Sequence, residues 1–179
     1  MSFAVCFLAH GIEHVDEYNK IRDRIGNETF VLTNDSNLFA SNVILDDTKF
    51  NFNKKRIPIK RALEKYDTVV CLDTDIDIIC DLTLPNDLCE GLHVKWLGKS
   101  QTINNTRLSI SELLNGKTQF EDLNNYGQSL TDSGANNYNT FFFDEYAFIL
   151  KILDKEKRTL FIDNWNLLYE KTLKNQAKD

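Results

Sequence analysis

The sequence predicts a compact single-domain α/β fold, a mainly parallel sheet flanked by helices. Three observations predict it. Strand-like and helix-like stretches alternate β-α-β-α-β through Leu72, the signature of a parallel sheet covered by its crossover helices. The strand-like stretches are continuous apolar runs, as a sheet buried on both faces requires. A chain of 179 residues can bury roughly 70% of the surface that its unfolded form exposes.

Taken in order, "FAVCFLA" (3–9) is too short for a helix and rich in β-formers. Val15, Tyr18, Ile21 and Ile25 follow at helical spacing, and Gly26 can end that helix. "TFVLTND" (29–35) reads as a second strand running into polar turn residues. In "KKRIPIKRALEKY" (54–66), Ile59, Ala62, Leu63 and Tyr66 share a helical face, and Pro58 suits the first turn. "DTVVCL" (67–72) is a third buried strand, and "GLHVKWL" (91–97) a further one. Residues 98–140 are polar, a functional or mobile loop interrupted by one short helix from the Ser109/Glu112 capping box to Gly116. "YNTFFF" (138–143) returns to strand character, and Asp144 is expected to open a helix with Tyr146, Ile149, Leu150 and Leu153 inward. "TLFI" (159–162) reads as a last strand, and residues 164–174 as a terminal helix with Trp165, Leu168 and Tyr169 inward.

Hydrophobic residues make up 42% and charged ones 27%, with a net charge of −6. That charge offers no electrostatic reason to bind nucleic acid or an anionic membrane. The four cysteines lack the paired spacing of a zinc site. They are expected to be reduced, as in the cytoplasm. "FAVCFLA" is too short for a signal peptide, and no run approaches the roughly 20 apolar residues of a membrane span.

Parallel strands carry their ligands beyond their carboxyl ends, which brings "AHG" (9–11), "TND" (33–35) and "DTDID" (73–77) to one edge. The last is the most informative. Two carboxylates 6 or 7 Å apart repel by roughly 2–3 kcal/mol at an effective dielectric near 20. Mg²⁺ or Mn²⁺, hard cations that take oxygen donors, would remove that cost. An acidic solvated turn is the plainer alternative. An EF-hand is excluded, because Ile78 and Leu84 stand where its glycine and glutamate belong. A haloacid-dehalogenase-type phosphatase also places D-x-D after an apolar strand, but normally on the first strand of its fold.

Residues 55–85, "KRIPIKRALEKYDTVVCLDTDIDIICDLTLP", combine a basic helix, an apolar strand, a D-x-D and a second apolar strand reaching "DL". In this the chain resembles the GT-A glycosyltransferases, especially retaining enzymes of the glycogenin and lipopolysaccharide-galactosyltransferase type. "FAVCFLAHG" and "FVLTND" look like that fold's first two strands, "FFFDEYAFILKIL" like its later strand-to-helix turn, and "WN" (165–166) like a pair often found near its end. The resemblance implies transfer of a hexose from a nucleotide-sugar, usually a UDP-sugar, with Mn²⁺ or Mg²⁺ between the D-x-D and the diphosphate. Asp73, with Thr74, would face the ribose or metal, and Asp75 would be the principal metal ligand, with Asp77 secondary. Ala9, His10, Thr33, Asn34 and Asp35 would lie by the nucleoside. Within the basic cluster of Lys55, Arg56, Lys60 and Arg61, Arg56 and Lys60 would approach the diphosphate or donor sugar. Glu145, or Asp144, would face the reacting carbon or the acceptor hydroxyl.

On this reading residues 1–97 form the nucleotide-sugar half and 98–179 the acceptor side, for a glycan, lipid or protein acceptor. No histidine follows His93, so Asp163 or a water would replace the additional metal ligand that many such enzymes take from a histidine near the C-terminus. The chain is short for the fold, so the acceptor-binding part is expected to be minimal or to come from another subunit or domain. A degenerate module that binds nucleotide-sugar without turnover stays open, as does the phosphatase.

Overall fold

Phe3 to Ala9 is apolar throughout, and the computed structural model buries all of it, Ala4–Ala9 forming strand β1. The structure describes residues 2–94, 108–109, 139–140 and 147–176. Helix α1 (Ile12–Ile21) follows β1 through Gly11, whose φ of 92° and ψ of 157° belong to a region almost reserved for glycine. A 3₁₀ turn (Arg22–Arg24) extends α1, and Val15, Tyr18, Ile21 and Ile25 are buried as their spacing predicts. Strand β2 is Thr29–Thr33 and strand β3 Asn42–Leu45. A second 3₁₀ turn (Phe52–Lys55) leads into helix α2 (Arg56–Leu63), which buries Pro58, Ile59, Ala62 and Leu63. Strand β4 is Thr68–Leu72 and strand β5 Gly91–Val94. Strands β6 (Leu108–Ser109) and β7 (Asn139–Thr140) precede strand β8 (Ala147–Lys151) and helix α3 (Lys155–Gln176).

The main sheet has the order β3-β2-β1-β4-β8-β5. β1, β2, β3 and β4 are mutually parallel, and β8 is antiparallel to both β4 and β5. One face packs Phe3, Val5, Phe7, Val31 and Val70 against Val15, Tyr18 and Ile21 of α1. Phe7 and Tyr18 meet edge-on at 5.2 Å. The other face takes α2 across β1, β2 and β4. Two ion pairs fix the direction of α2. Lys55 reaches Asp73 beyond the carboxyl end of β4, and Lys65 reaches Glu28 just before β2.

Four expectations change. β3 is an addition that "NVIL" did not announce, a short edge strand whose burial alternates. Residues 147–151 form β8 where a helix was expected. The run "YAFILKIL" is apolar at nearly every position and suits either period. Backbone pairing to β4 on one side and β5 on the other decides for the strand. "TLFI" lies inside α3, where Leu160 is 61% exposed and Ile162 buried, the mark of a run winding around a helix. The apolar stretch after the aspartates is irregular rather than a strand. Ile78 is buried and Ile79 88% exposed, while Ile76, Leu82 and Leu84 pack against the core beside α1.

The chain forms two compact units, Met1–Lys95 with Glu145–Ile162, and Trp96–Asp144 with Asp163–Asp179. β8, from the later part of the chain, completes the sheet of the first unit. In the second unit Leu108 pairs with Thr140 and Ser109 with Asn139. The helix expected after Ser109, and residues 95–97 of the strand expected at 91–97, lie outside the described residues. Among the described residues no helix is long and apolar enough to cross a membrane.

Candidate functional site

From β1 the sheet runs to β2 and β3 on one side and to β4 on the other. The carboxyl ends of β1 and β4 therefore flank a topological switch point, where open α/β sheets leave a crevice. β1 delivers His10 and Gly11 to it, β4 delivers Asp73, Thr74 and Asp75, and β2 delivers Asn34 and Asp35. The three turns foreseen on one edge are there, and they are tied together. The Gly11 N–H donates to Asn34 Oδ1 at 2.8 Å, joining the ends of β1 and β2. Asp35 accepts from the Asn37 N–H, and its own N–H donates to the buried Thr33 hydroxyl. Ala9 and Thr33 are fully buried, so their side chains support these turns from beneath.

Thr74 is also buried, and its hydroxyl donates to Glu17 on α1 at 2.9 Å. His14 Nδ1 lies 3.2 Å from the same Glu17 oxygen and 3.3 Å from the Thr74 hydroxyl. The side chain of Thr74 thus anchors the aspartate turn to α1. Asp75 and Asp77 are exposed, and Asp73 is half-buried.

The segment between β3 and α2 supplies the rest. The Asp46 N–H donates to Thr33 O at 2.9 Å, and its carbonyl stands 3.2 Å from His10 Nε2, which must then carry a proton. Its carboxylate accepts from the Thr48 N–H and hydroxyl and pairs with Lys54 at 2.9 Å. Burial works against the charge, but the hydrogen bonds from Thr48 and Lys54 and the ammonium's field outweigh it, and the Asp46 carboxyl falls to about 2. Phe50 stacks on His14 at 5.5 Å and 18°, with the His10 ring 5.7 Å away. Lys55 ends the 3₁₀ turn, its side chain 6% exposed, with Nζ 2.6 Å from Asp73 Oδ1. Two adjacent lysines are buried here because each holds a carboxylate; unpaired, neither charge would be tolerated.

Of the basic cluster, the structure brings Lys55 to the aspartates. Arg56 is half-buried beside it. Lys60 is exposed one helical turn, about 6 Å, farther along α2 toward the opposite edge. Arg61 pairs with Glu64. Asp144 and Glu145 lie outside the described residues, and Asp163 is exposed on α3. Sequence reasoning missed Asp46, Phe50, Lys54, His14 and Glu17. The signals were slight: "DDT" after an apolar pair, and histidines at 10 and 14 flanking the start of α1.

As donors for a divalent cation, Asp73 and Asp75 offer hard oxygens on one turn. Two carboxylates suffice for Mg²⁺ when substrate phosphates complete its shell. Among the described residues no group of three or more His, Cys, Asp or Glu side chains is placed to hold a metal by itself. No protein-family model matches the chain, and no curated protein matches it significantly.

Proposed function

We propose that the chain is a GT-A-type glycosyltransferase that moves a hexose from a nucleotide-sugar, a UDP-sugar, to a glycan, lipid or protein acceptor. The observation that carries this reading is the convergence, at the β1/β4 crevice, of the Asp73–Asp75 turn with Lys55 and the loop of His10. Asp73 and Asp75 would hold Mn²⁺ or Mg²⁺, which when bound supplies Lewis acidity toward the departing diphosphate. Lys55 and Arg56 set positive charge where that leaving group accumulates negative charge. His10, Asn34 and Asp35 line the side on which a nucleoside would lie, and Phe50 offers an apolar face there. Ala147 pairs with Leu72, so the chain re-enters the sheet two residues after Glu145 and beside the aspartate turn. Glu145 or Asp144 would face the reacting carbon or the acceptor hydroxyl.

Incubation with UDP-glucose or UDP-galactose and Mn²⁺ should release UDP slowly by hydrolysis and faster with an acceptor. The Lys55–Asp73 pair favours a second reading, a module that binds nucleotide-sugar without turnover, and binding with no UDP release would select it. Phosphate release from p-nitrophenyl phosphate would select a phosphatase instead.

A further inference from the structure

The middle residue of the D-x-D is the one that the fold buries. Thr74 is 4% exposed, between a half-buried Asp73 and an exposed Asp75. Its hydroxyl donates to Glu17 Oε2 at 2.9 Å. His14 Nδ1 stands 3.2 Å from that same oxygen and 3.3 Å from the Thr74 hydroxyl. A carboxylate only accepts, so Nδ1 carries a proton and one oxygen gathers both donors. Phe50, stacked on the imidazole at 5.5 Å and 18°, braces that ring from the segment between β3 and α2. The Glu17 side chain keeps 24% of its surface exposed, a partly desolvated setting in which a charged acceptor holds its donors strongly.

We propose that Glu17 is a positioning residue for the aspartate turn. Strand β4 ends at Leu72, so its ladder does not set the shape of the turn that carries Asp73 and Asp75. Thr74 is the backbone segment common to both carboxylates. Tying it to α1 fixes the spacing at which their oxygens can meet one cation. This rests on the nucleotide-sugar reading and deepens it, because Glu17 acts on the cation through Thr74 and not as a ligand. Groups that orient metal ligands from behind commonly matter about tenfold to a hundredfold in metal affinity. A glutamine could accept the same bonds. The glutamate adds a negative charge on α1, which favours a cation at the turn.

The test measures Mn²⁺ binding to the full chain by electron paramagnetic resonance, with urea unfolding alongside. Glu17→Ala and Thr74→Val should each weaken Mn²⁺ binding about tenfold or more. The double variant should bind no more weakly than the weaker single one, because both changes remove the same bond. Thr74→Ser restores the hydroxyl and Glu17→Gln an acceptor, and each should recover most of the loss. Lost stability alone leaves the native state in large excess and its affinity unchanged, so a merely structural bond would move the urea midpoint and not the Mn²⁺ titration. Glu17 is a partly exposed helix position, and alanine is the best helix former. Glu17→Ala therefore carries the test even if Thr74→Val does not fold. Wild-type affinity in Glu17→Ala overturns the proposal and leaves the donor reading standing. Additive losses in the double variant overturn it too, since the two residues would then act separately. A wild-type chain that binds neither Mn²⁺ alone nor UDP with Mn²⁺ overturns the donor reading, and the proposal with it.

Discussion

Replacing Asp46 by asparagine should destabilise the chain in a way that depends on pH. The carboxylate is 15% exposed and holds three groups at once: the Thr48 N–H and hydroxyl and the Lys54 ammonium. Its ordinary value of 3.8 falls to about 2 in the fold. That difference contributes about 2 kcal/mol at neutral pH. Because the folded value is the lower one, the stabilisation is complete above the unfolded value and is lost as the pH falls through the folded one. About half of it is gone by pH 3. The asparagine also leaves Lys54, 10% exposed, with its hydrogen bonds to Thr48 but without an opposite charge, so the loss at pH 7 should reach about 2–4 kcal/mol. Urea unfolding at pH 7, 5 and 3 measures this. The gap between wild type and Asp46→Asn should narrow by about 1 kcal/mol from pH 5 to pH 3. A constant gap across that range would refute the assignment of the low value to Asp46.

Asp75 is exposed, so Asp75→Ala should leave the unfolding midpoint within about 0.5 kcal/mol of wild type while abolishing Mn²⁺-dependent UDP binding; calorimetry showing unchanged affinity would count against the donor reading. Phe7 is fully buried on β1 and meets Tyr18 edge-on, so Phe7→Ala should cost about 3–5 kcal/mol by denaturant titration. At Gly11 nothing lies within 4 Å of an added Cβ, so the penalty is the backbone's alone, and Gly11→Ala should cost about 1–3 kcal/mol. A loss much beyond that would mean the β1–α1 turn had moved.

How much of the site could be read in advance follows from where its contacts lie along the chain. His10, Asn34 and Asp73 each follow a strand directly, and parallel topology alone sends strand ends to one edge. The choice of Lys55 over Lys60 was not legible. Both lie within one basic helix-forming stretch, and only the packing of α2 against β1, β2 and β4 sets which lysine reaches the aspartates. The bonds of Asp46 to Thr33, and of Thr74 to Glu17, span long loops and leave no local periodicity.

By itself the sequence determined the parallel half of the sheet, β1, β2 and β4, and the helix faces that cover it. Those elements declare themselves through continuous apolar runs and 3.6-residue spacing, which are properties of neighbours in the chain. Tertiary structure decided the identity of Ala147–Lys151, strand rather than helix, through hydrogen bonds to strands far away in sequence. It also decided which charges meet. Burying an ammonium requires an acceptor within reach, a carboxylate for Lys54 and Lys55 and a carbonyl for Lys151, and which acceptor that is depends on how the chain has folded back upon itself.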